Sequence, residues 1–236
     1  ITEKQVLPSL NQLRRIISAS PTRSASGPSG LSYRILQDLP DKALEALYEQ
    51  LCLGWENGLF RQGWLSRKKL VIIPKTTGII EPNKTRPIIL SEVLRKVWLK
   101  GIFQNIMSVW NTHGVLENNQ LGFRQSRNTR TAILQLINAL EASNQQQLPI
   151  YGSTWDITSA FDSVERPLIQ LSLERLGLSS QLATKLAYLD TEDQIRLHTT
   201  AGPTSTFNSE RGCGQGDTSS PFIWIAFFDI ILTGIN

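Results

Sequence analysis

The chain has 236 residues, a formal net charge of +4, and 40% hydrophobic against 19% charged residues. That composition is ordinary for a globular protein large enough to bury its core without covalent staples, and with only two cysteines, Cys52 and Cys213, a disulfide-stapled fold is excluded. The longest unbroken apolar run, Phe222 to Phe228, is far too short to span a membrane.

In chain order, Pro8 followed by Leu10, Leu13, Ile16 and Ile17 predicts an amphipathic helix. Residues 20–30, SPTRSASGPSG, form a breaker-rich loop. A second helix is expected from Asp41 as N-cap, with Leu44, Leu47, Leu51 and Trp55 on one face, ending near Gly58. Lys69–Pro74 reads as a strand, Thr76–Lys84 as a turn and Arg86–Leu90 as the returning strand, together a hairpin with a basic tip. A helix then starts at Ser91 as N-cap, carrying Val93, Leu94, Val97, Trp98 and Phe103, and another runs from about Thr129 to Ala142. Pro149–Asp156, rich in β-branched and aromatic residues, is expected to be a strand. Pro167–Leu176 and Gln181–Leu189 read as short helices, and 193–198 with 204–208 as a hairpin around Gly202-Pro203. After a glycine-dense loop at 212–216, Ser220-Pro221 opens an apolar helix to about Thr233. Helices and strands mix without strict alternation, which predicts an α+β fold.

Charge is unevenly spread. Residues 1–150 hold 19 Lys/Arg and 10 Asp/Glu, whereas residues 151–236 hold 5 and 10. Ten basic residues fall within 61–100, Lys68 and Lys69 among them, which makes this block a candidate surface for phosphates. The acidic half is where carboxylates could gather around a cation.

Four segments could carry chemistry. In YGSTWDITSAFDSV, residues 151–164, Asp156 stands at the end of the expected strand, where a carboxylate suits Mg²⁺ and leaves coordination positions for phosphate oxygens. Phe161, five residues on, could lie flat beneath a sugar; alone, Asp156 reads equally as a helix cap and Phe161 as core. In RGCGQGDTSSP, residues 211–221, Gln215 sits between glycines that leave its amide unobstructed, although a flexible turn explains the same pattern. Lys75 and Arg86 flank the hairpin tip, where a point charge and a bidentate fork could grip a polyphosphate. Arg124, Arg127 and Arg130, in QLGFRQSRNTR, could contact a nucleic-acid backbone.

The ordered series IPK, RPIIL, LGFRQSRNT, WDITSAFD, a hairpin and RGCGQGDTSSP resembles the reverse transcriptase family, most closely the enzymes of non-LTR retrotransposons. The early GPSGLSYRIL is similar to a segment that precedes the fingers in that family, with Ser29 where an Asp is usual. The resemblance covers the chain from about residue 20 onward. It implies part of a right-hand polymerase: fingers with an N-terminal extension over residues 1–95, and an incomplete palm over 96–236, an antiparallel sheet packed on helices, with a fingers-side insertion at about 168–210.

It further implies an RNA-directed DNA polymerase that adds dNTPs to a DNA primer on an RNA template by two-metal catalysis. Asp156 matches the family's first metal-binding aspartate, joined by the Ile157 carbonyl, with Mg²⁺ (or Mn²⁺) as cofactor. Phe161 matches the aromatic gate against a ribose 2′-OH, Gln215 and Gly216 the pair beside the incoming nucleotide, and Lys75 and Arg86 the contacts to its triphosphate. The family's aromatic-x-Asp-Asp motif does not occur in this sequence. A chain that opens on Ile1 and lacks that motif is expected to be an excerpt of a longer polypeptide and inactive alone. The competing readings are a non-catalytic RNA-binding module with a polymerase-like fold and an RNA-dependent RNA polymerase. Phe161 stands against the latter. An intracellular setting, nuclear or in a cytoplasmic ribonucleoprotein, is expected, with no membrane association.

Overall fold

A computed structural model describes residues 1–77, 81 and 84–235, with Ile235 described by its backbone alone. The tip of the expected basic hairpin, residues 78–80 with 82 and 83, lies outside the described residues. Among the described residues the chain is a mixture of helices and one four-stranded sheet.

The N-terminal quarter is helical: α1 (Glu3–Val6), α2 (Leu10–Ser18), α3 (Tyr33–Gln37) and α4 (Asp41–Glu56). Ser9 caps α2 by accepting from the Gln12 N–H, and the periodic Leu13, Ile16 and Ile17 are buried as expected. The N-cap of α4 is Pro40, not Asp41. Asp41 instead opens the helix, ion-paired with Arg14 and near the positive end of the helix dipole.

Helix α5 (Val93–Thr112) is the axis of the molecule. Val93, Val97, Trp98, Ile102, Ile106 and Trp110 are wholly buried, so its apolar surface is not a stripe but nearly a full turn. Trp98 meets Trp55 of α4 and Phe60. Farther along, Phe103 and Trp110 stack on Phe222 with ring centroids 4.3 and 4.9 Å apart. The N-cap of α5 is Glu92 rather than Ser91, because the Ser91 hydroxyl is engaged by Asp217. The Glu92 carboxylate accepts from both the N–H (2.9 Å) and the hydroxyl (2.5 Å) of Ser29. An aspartate at position 29 would set two carboxylates face to face; serine turns the same contact into a tie between loop 20–30 and α5.

The sheet has the order β2-β1-β3-β4. Strand β1 (Arg67–Pro74) pairs antiparallel with β2 (Thr85–Ser91), Lys69 facing Leu90 and Ile73 facing Arg86, and this is the expected hairpin. Strand β3 (Gln194–Thr199) joins the other edge of β1 in parallel, Lys69 facing Arg196. The short β4 (Gly202–Pro203) turns back on β3, and Phe207 bridges to Ile195, so the expected second hairpin exists in shortened form. Between the hairpins come α6 (Thr129–Gln146), α7 (Arg166–Arg175) and α8 (Ser180–Ala187), and α9 (Ser220–Ile235) follows the glycine loop. No helix among the described residues is long and apolar enough to cross a membrane.

One expected element does not form. Pro149–Asp156 is irregular, with Tyr151 91% and Trp155 89% exposed. A strand needs a neighbour to take its backbone hydrogen bonds, and among the described residues none runs beside this segment. Helix α6 just before it is equally unpartnered: it has no buried residue, and Ile133, Leu136, Ile137 and Leu140 stand open. Among the described residues the antiparallel palm sheet implied by the resemblance does not form, and the sheet present is the mixed one around β1.

Candidate active site

Two distant loops meet. The turn at 159–164 and the glycine loop at 212–217 are stitched by main-chain bonds, Gly212 N–H to Val164 C=O and Cys213 N–H to Phe161 C=O, both 2.8 Å. Gly212 has φ +77°, and a Cβ there would lie 2.7 Å from the Phe161 carbonyl oxygen. Next, the loop runs along the free edge of β2, where Gln215 C=O accepts from the Ile89 N–H at 2.7 Å. Gly216, at φ +95°, would press a Cβ to 2.9 Å from the Ile89 carbonyl. Both positions thus require glycine for conformation and for contact. The loop also covers the edge that β2 would otherwise leave open. A cavity of about 220 Å³ remains between loop and sheet, lined by Leu70, Pro87, Ile89, Asp162, Gly214 and Gln215.

Behind this loop lies a buried ion cluster. Lys68 Nζ is 2.5 Å from Asp193, 2.9 Å from Asp217 and 3.0 Å from Asp190. Arg95 is also paired with Asp190 and donates to the Phe60 carbonyl. Ser91 donates to Asp217 at 2.7 Å. Two cations thus face three carboxylates, and the excess of acid groups is relieved at Asp193, which is held toward its neutral form. Burial pushes Asp193 up to about 7, Asp190 adds to the rise, and Lys68 and Arg95 oppose it. For Asp217 burial also favours the neutral acid, but Lys68, Arg95 and the Ser91 hydrogen bond prevail and hold it well below the usual carboxylate range. For Lys68 burial opposes the charge; the carboxylates, Asp190 first, outweigh it and hold the ammonium well above the usual lysine range. The Cys213 thiol, pushed up to about 12 chiefly by burial, is an inert neighbour.

The structure brings together Phe161, Asp162, Gln215 and Gly216, and sets β2, with Arg86, alongside. Phe161 is half-buried, its ring 5.6 Å from Trp224 and 6.4 Å from Phe123. Arg86 is exposed on β2; the Lys75 N–H extends the ladder past Pro74 by donating to Lys84 C=O at 2.8 Å. Asp156 and Ile157 are exposed on the irregular segment that leads into the Phe161 turn. No group of three or more His, Cys, Asp or Glu among the described residues could enclose a metal ion.

Two expectations are corrected. Lys68, read as a nucleic-acid contact, is 2% exposed and saturated by aspartates, because odd and even residues of β1 face opposite sides of the sheet. Arg124 likewise turns inward: it donates to the Glu117 and Gln120 carbonyls and to Asn111, holding the turn before α6. Arg127 donates to Asn118 C=O, and Arg130 is exposed. Sequence reasoning missed Arg95, Asp190, Asp193 and Asp217. The one available signal was Asp217 beside Gln215 and Gly216; the others are scattered along the chain without a motif.

A family profile described as "Reverse transcriptase (RNA-dependent DNA polymerase)" matches residues 73–236. The chain belongs to the reverse transcriptase family. The match to reverse transcriptase takes in β2, the Phe161 turn and the glycine loop, whereas α1 to α4 precede it. Among curated proteins the chain is 26% identical over 219 residues to the RNA-directed DNA polymerase from mobile element jockey of Drosophila melanogaster, covering 92% of the chain and 24% of that protein. It is 23% identical to the Pol polyprotein from type-1 retrotransposable element R2 of Nasonia vitripennis, covering 89% of the chain and 20% of the relative. A putative 115 kDa protein in element R1DM of Drosophila melanogaster is 31% identical over 64% of the chain and 14% of that protein. The chain thus spans a quarter or less of the length of these relatives.

Proposed function

We propose that this chain is the fingers and part of the palm of an RNA-directed DNA polymerase from a non-LTR retrotransposon-like element. The observation that carries the reading is the meeting of Phe161, Gln215 and Gly216 against β2, with Arg86 on that strand. On this reading residues 1–95 are fingers and 96–236 palm, and the segment at about 168–210 is a fingers-side insertion, which fits the pairing of β3 with β1. The partners are an RNA template, a DNA primer and dNTPs, inside the cell, in the nucleus or a cytoplasmic ribonucleoprotein.

Each side chain has a task. Arg86 and Lys75 hold the triphosphate, the guanidinium by a fork and the ammonium as a point charge. Gln215 lies against the nucleotide, and Phe161 excludes a ribose 2′-hydroxyl by contact. The bound Mg²⁺ would supply charge neutralisation at the phosphates. Asp156 and the Ile157 carbonyl suit one such ion that keeps water and phosphate oxygens as its other ligands. They do not suffice for two ions, and a second would need carboxylates that these residues do not supply. Asp156 is exposed, so its carboxylate is open to solvent.

The test is primer extension on an RNA template by a polypeptide that carries residues 1–236 together with an aromatic-x-Asp-Asp segment and thumb. Extension abolished by Asp156→Asn supports the reading. Retention of RNA binding without extension in any such polypeptide favours a non-catalytic RNA-binding module instead.

A further inference from the structure

Between α5 and α6 the chain makes a turn that is fastened from within and carries one exposed ring. The Arg124 guanidinium donates to the Glu117 and Gln120 carbonyls at 2.9 and 3.3 Å and to Asn111 of α5 at 3.1 Å. Arg127 donates to the Asn118 carbonyl at 3.1 Å, and Asp229 of α9 accepts from the Glu117 N–H at 2.7 Å. The Phe123 side chain takes no part in this fastening. It is 62% exposed, so its burial stabilises little. Its φ is +55°, a left-handed backbone that is rare for a bulky residue. A costly backbone at an exposed aromatic residue points to a use for the ring itself.

The ring meets Phe161. The two are T-shaped, with planes 68° apart and centroids 6.4 Å apart. Trp224 of α9 is a second neighbour of Phe161, at 5.6 Å. The Phe161 carbonyl is fixed by the Cys213 N–H, but a main-chain bond does not fix a ring, whose rotamer is set by what packs against it. Phe123 also borders a cavity of about 610 Å³ with Met107, Phe222 and Ile225. Close packing therefore does not hold its ring in place; the direction of its Cβ, fixed by the turn, does.

We infer that Phe123 is a positioning residue for Phe161, holding that ring against Trp224 and so setting how strictly a ribose 2′-hydroxyl is excluded. The consequence for nucleotide choice rests on the proposed role of Phe161 as gate; the support of one ring by the other does not. A gate that works by contact excludes only while it stays put. With Phe123 removed, the Phe161 ring can turn toward the vacated space and yield to the hydroxyl. A deoxyribose makes no such demand, so the change falls on ribonucleotide use.

The ring support is read in the chain itself, by NMR with labelled phenylalanine and tryptophan, as the nuclear Overhauser contact between Phe161 and Trp224. Phe123→Gly suits the positive φ and removes the ring, whereas Phe123→Tyr keeps the ring. The contact should weaken in the glycine variant and persist in the tyrosine variant. Single-nucleotide incorporation by a polymerase-competent polypeptide containing the chain then gives kcat/KM for a dNTP and the matching rNTP. Phe123→Gly should raise rNTP use relative to dNTP by roughly 2- to 12-fold, the span of one aromatic pair, and Phe123→Tyr should restore the preference. An undiminished Phe161–Trp224 contact in Phe123→Gly overturns the inference, as does an equal loss with both nucleotides, which is what a merely structural role gives. If Phe161→Val relaxes the preference and Phe123→Gly does not, the gate stands and the inference falls. If Phe161→Val leaves the preference unchanged, the gate reading falls, and the Phe161–Trp224 contact alone decides whether Phe123 positions the ring.

Discussion

At the scale of single residues, Gly216 combines a left-handed backbone with a close approach to the Ile89 carbonyl. Gly216→Ala should cost about 1–3 kcal/mol by strain alone and shift Gln215, read as a lower melting temperature together with a raised KM for dNTP. Phe161→Val in a polymerase-competent polypeptide should admit ribonucleotides, because specificity built on a clash disappears with the clash; an unchanged dNTP preference in single-nucleotide incorporation would remove Phe161 from the gate. Asp193 gives a pH dependence of definite sign. Its carboxyl titrates near 3.8 in the unfolded chain and at about 7 in the folded one. Between those values the native state holds a proton that the unfolded state has released, so stability falls as pH rises from about 4 to about 7 and levels above it. The loss is at most about 4 kcal/mol. Asp193→Asn should flatten this slope in urea unfolding and raise stability at pH 8.

At the scale of elements, Lys68 fastens β1 to the glycine loop through Asp217 and to the α8–β3 connection through Asp190 and Asp193. Lys68→Met should destabilise by about 3–5 kcal/mol, since it strands buried carboxylates. A double-mutant cycle with Asp217→Asn should show strong coupling in urea unfolding, and additivity would mean that the pairing contributes little. Nothing in the local pattern discloses this cluster: its members lie in β1, α5, a turn and a loop, and only the fold makes them neighbours. The helices were legible because a 3.6-residue period is written in each segment itself, as in Leu13, Ile16 and Ile17. The β1–β2 hairpin was legible because its pairing is local. Pro149–Asp156 has strand composition, but a strand is completed by a partner, and among the described residues none lies beside it. The glycine loop and Phe161 turn were recognisable as motifs, whereas their stitching through Gly212 and Cys213 was not.

At the scale of the whole molecule, the core is continuous from α1 to α9 around α5, while α6 stands outside it with no buried residue. A helix of 18 residues without tertiary support is marginal in water. Amide exchange in α6 should therefore be orders of magnitude faster than in α5, and equal protection would show that its apolar face is covered in solution. The core itself is closed by contacts of very long sequence separation: Glu3 meets Lys185 across 182 residues, and Ser91 meets Asp217 across 126. During synthesis, Lys68 and one edge of β1 thus wait on the order of ten seconds, at roughly 5–20 residues per second, before β3 and Asp217 leave the ribosome. Through that interval the hairpin stands half-paired, with Lys68 open to water and without the three carboxylates that later enclose it.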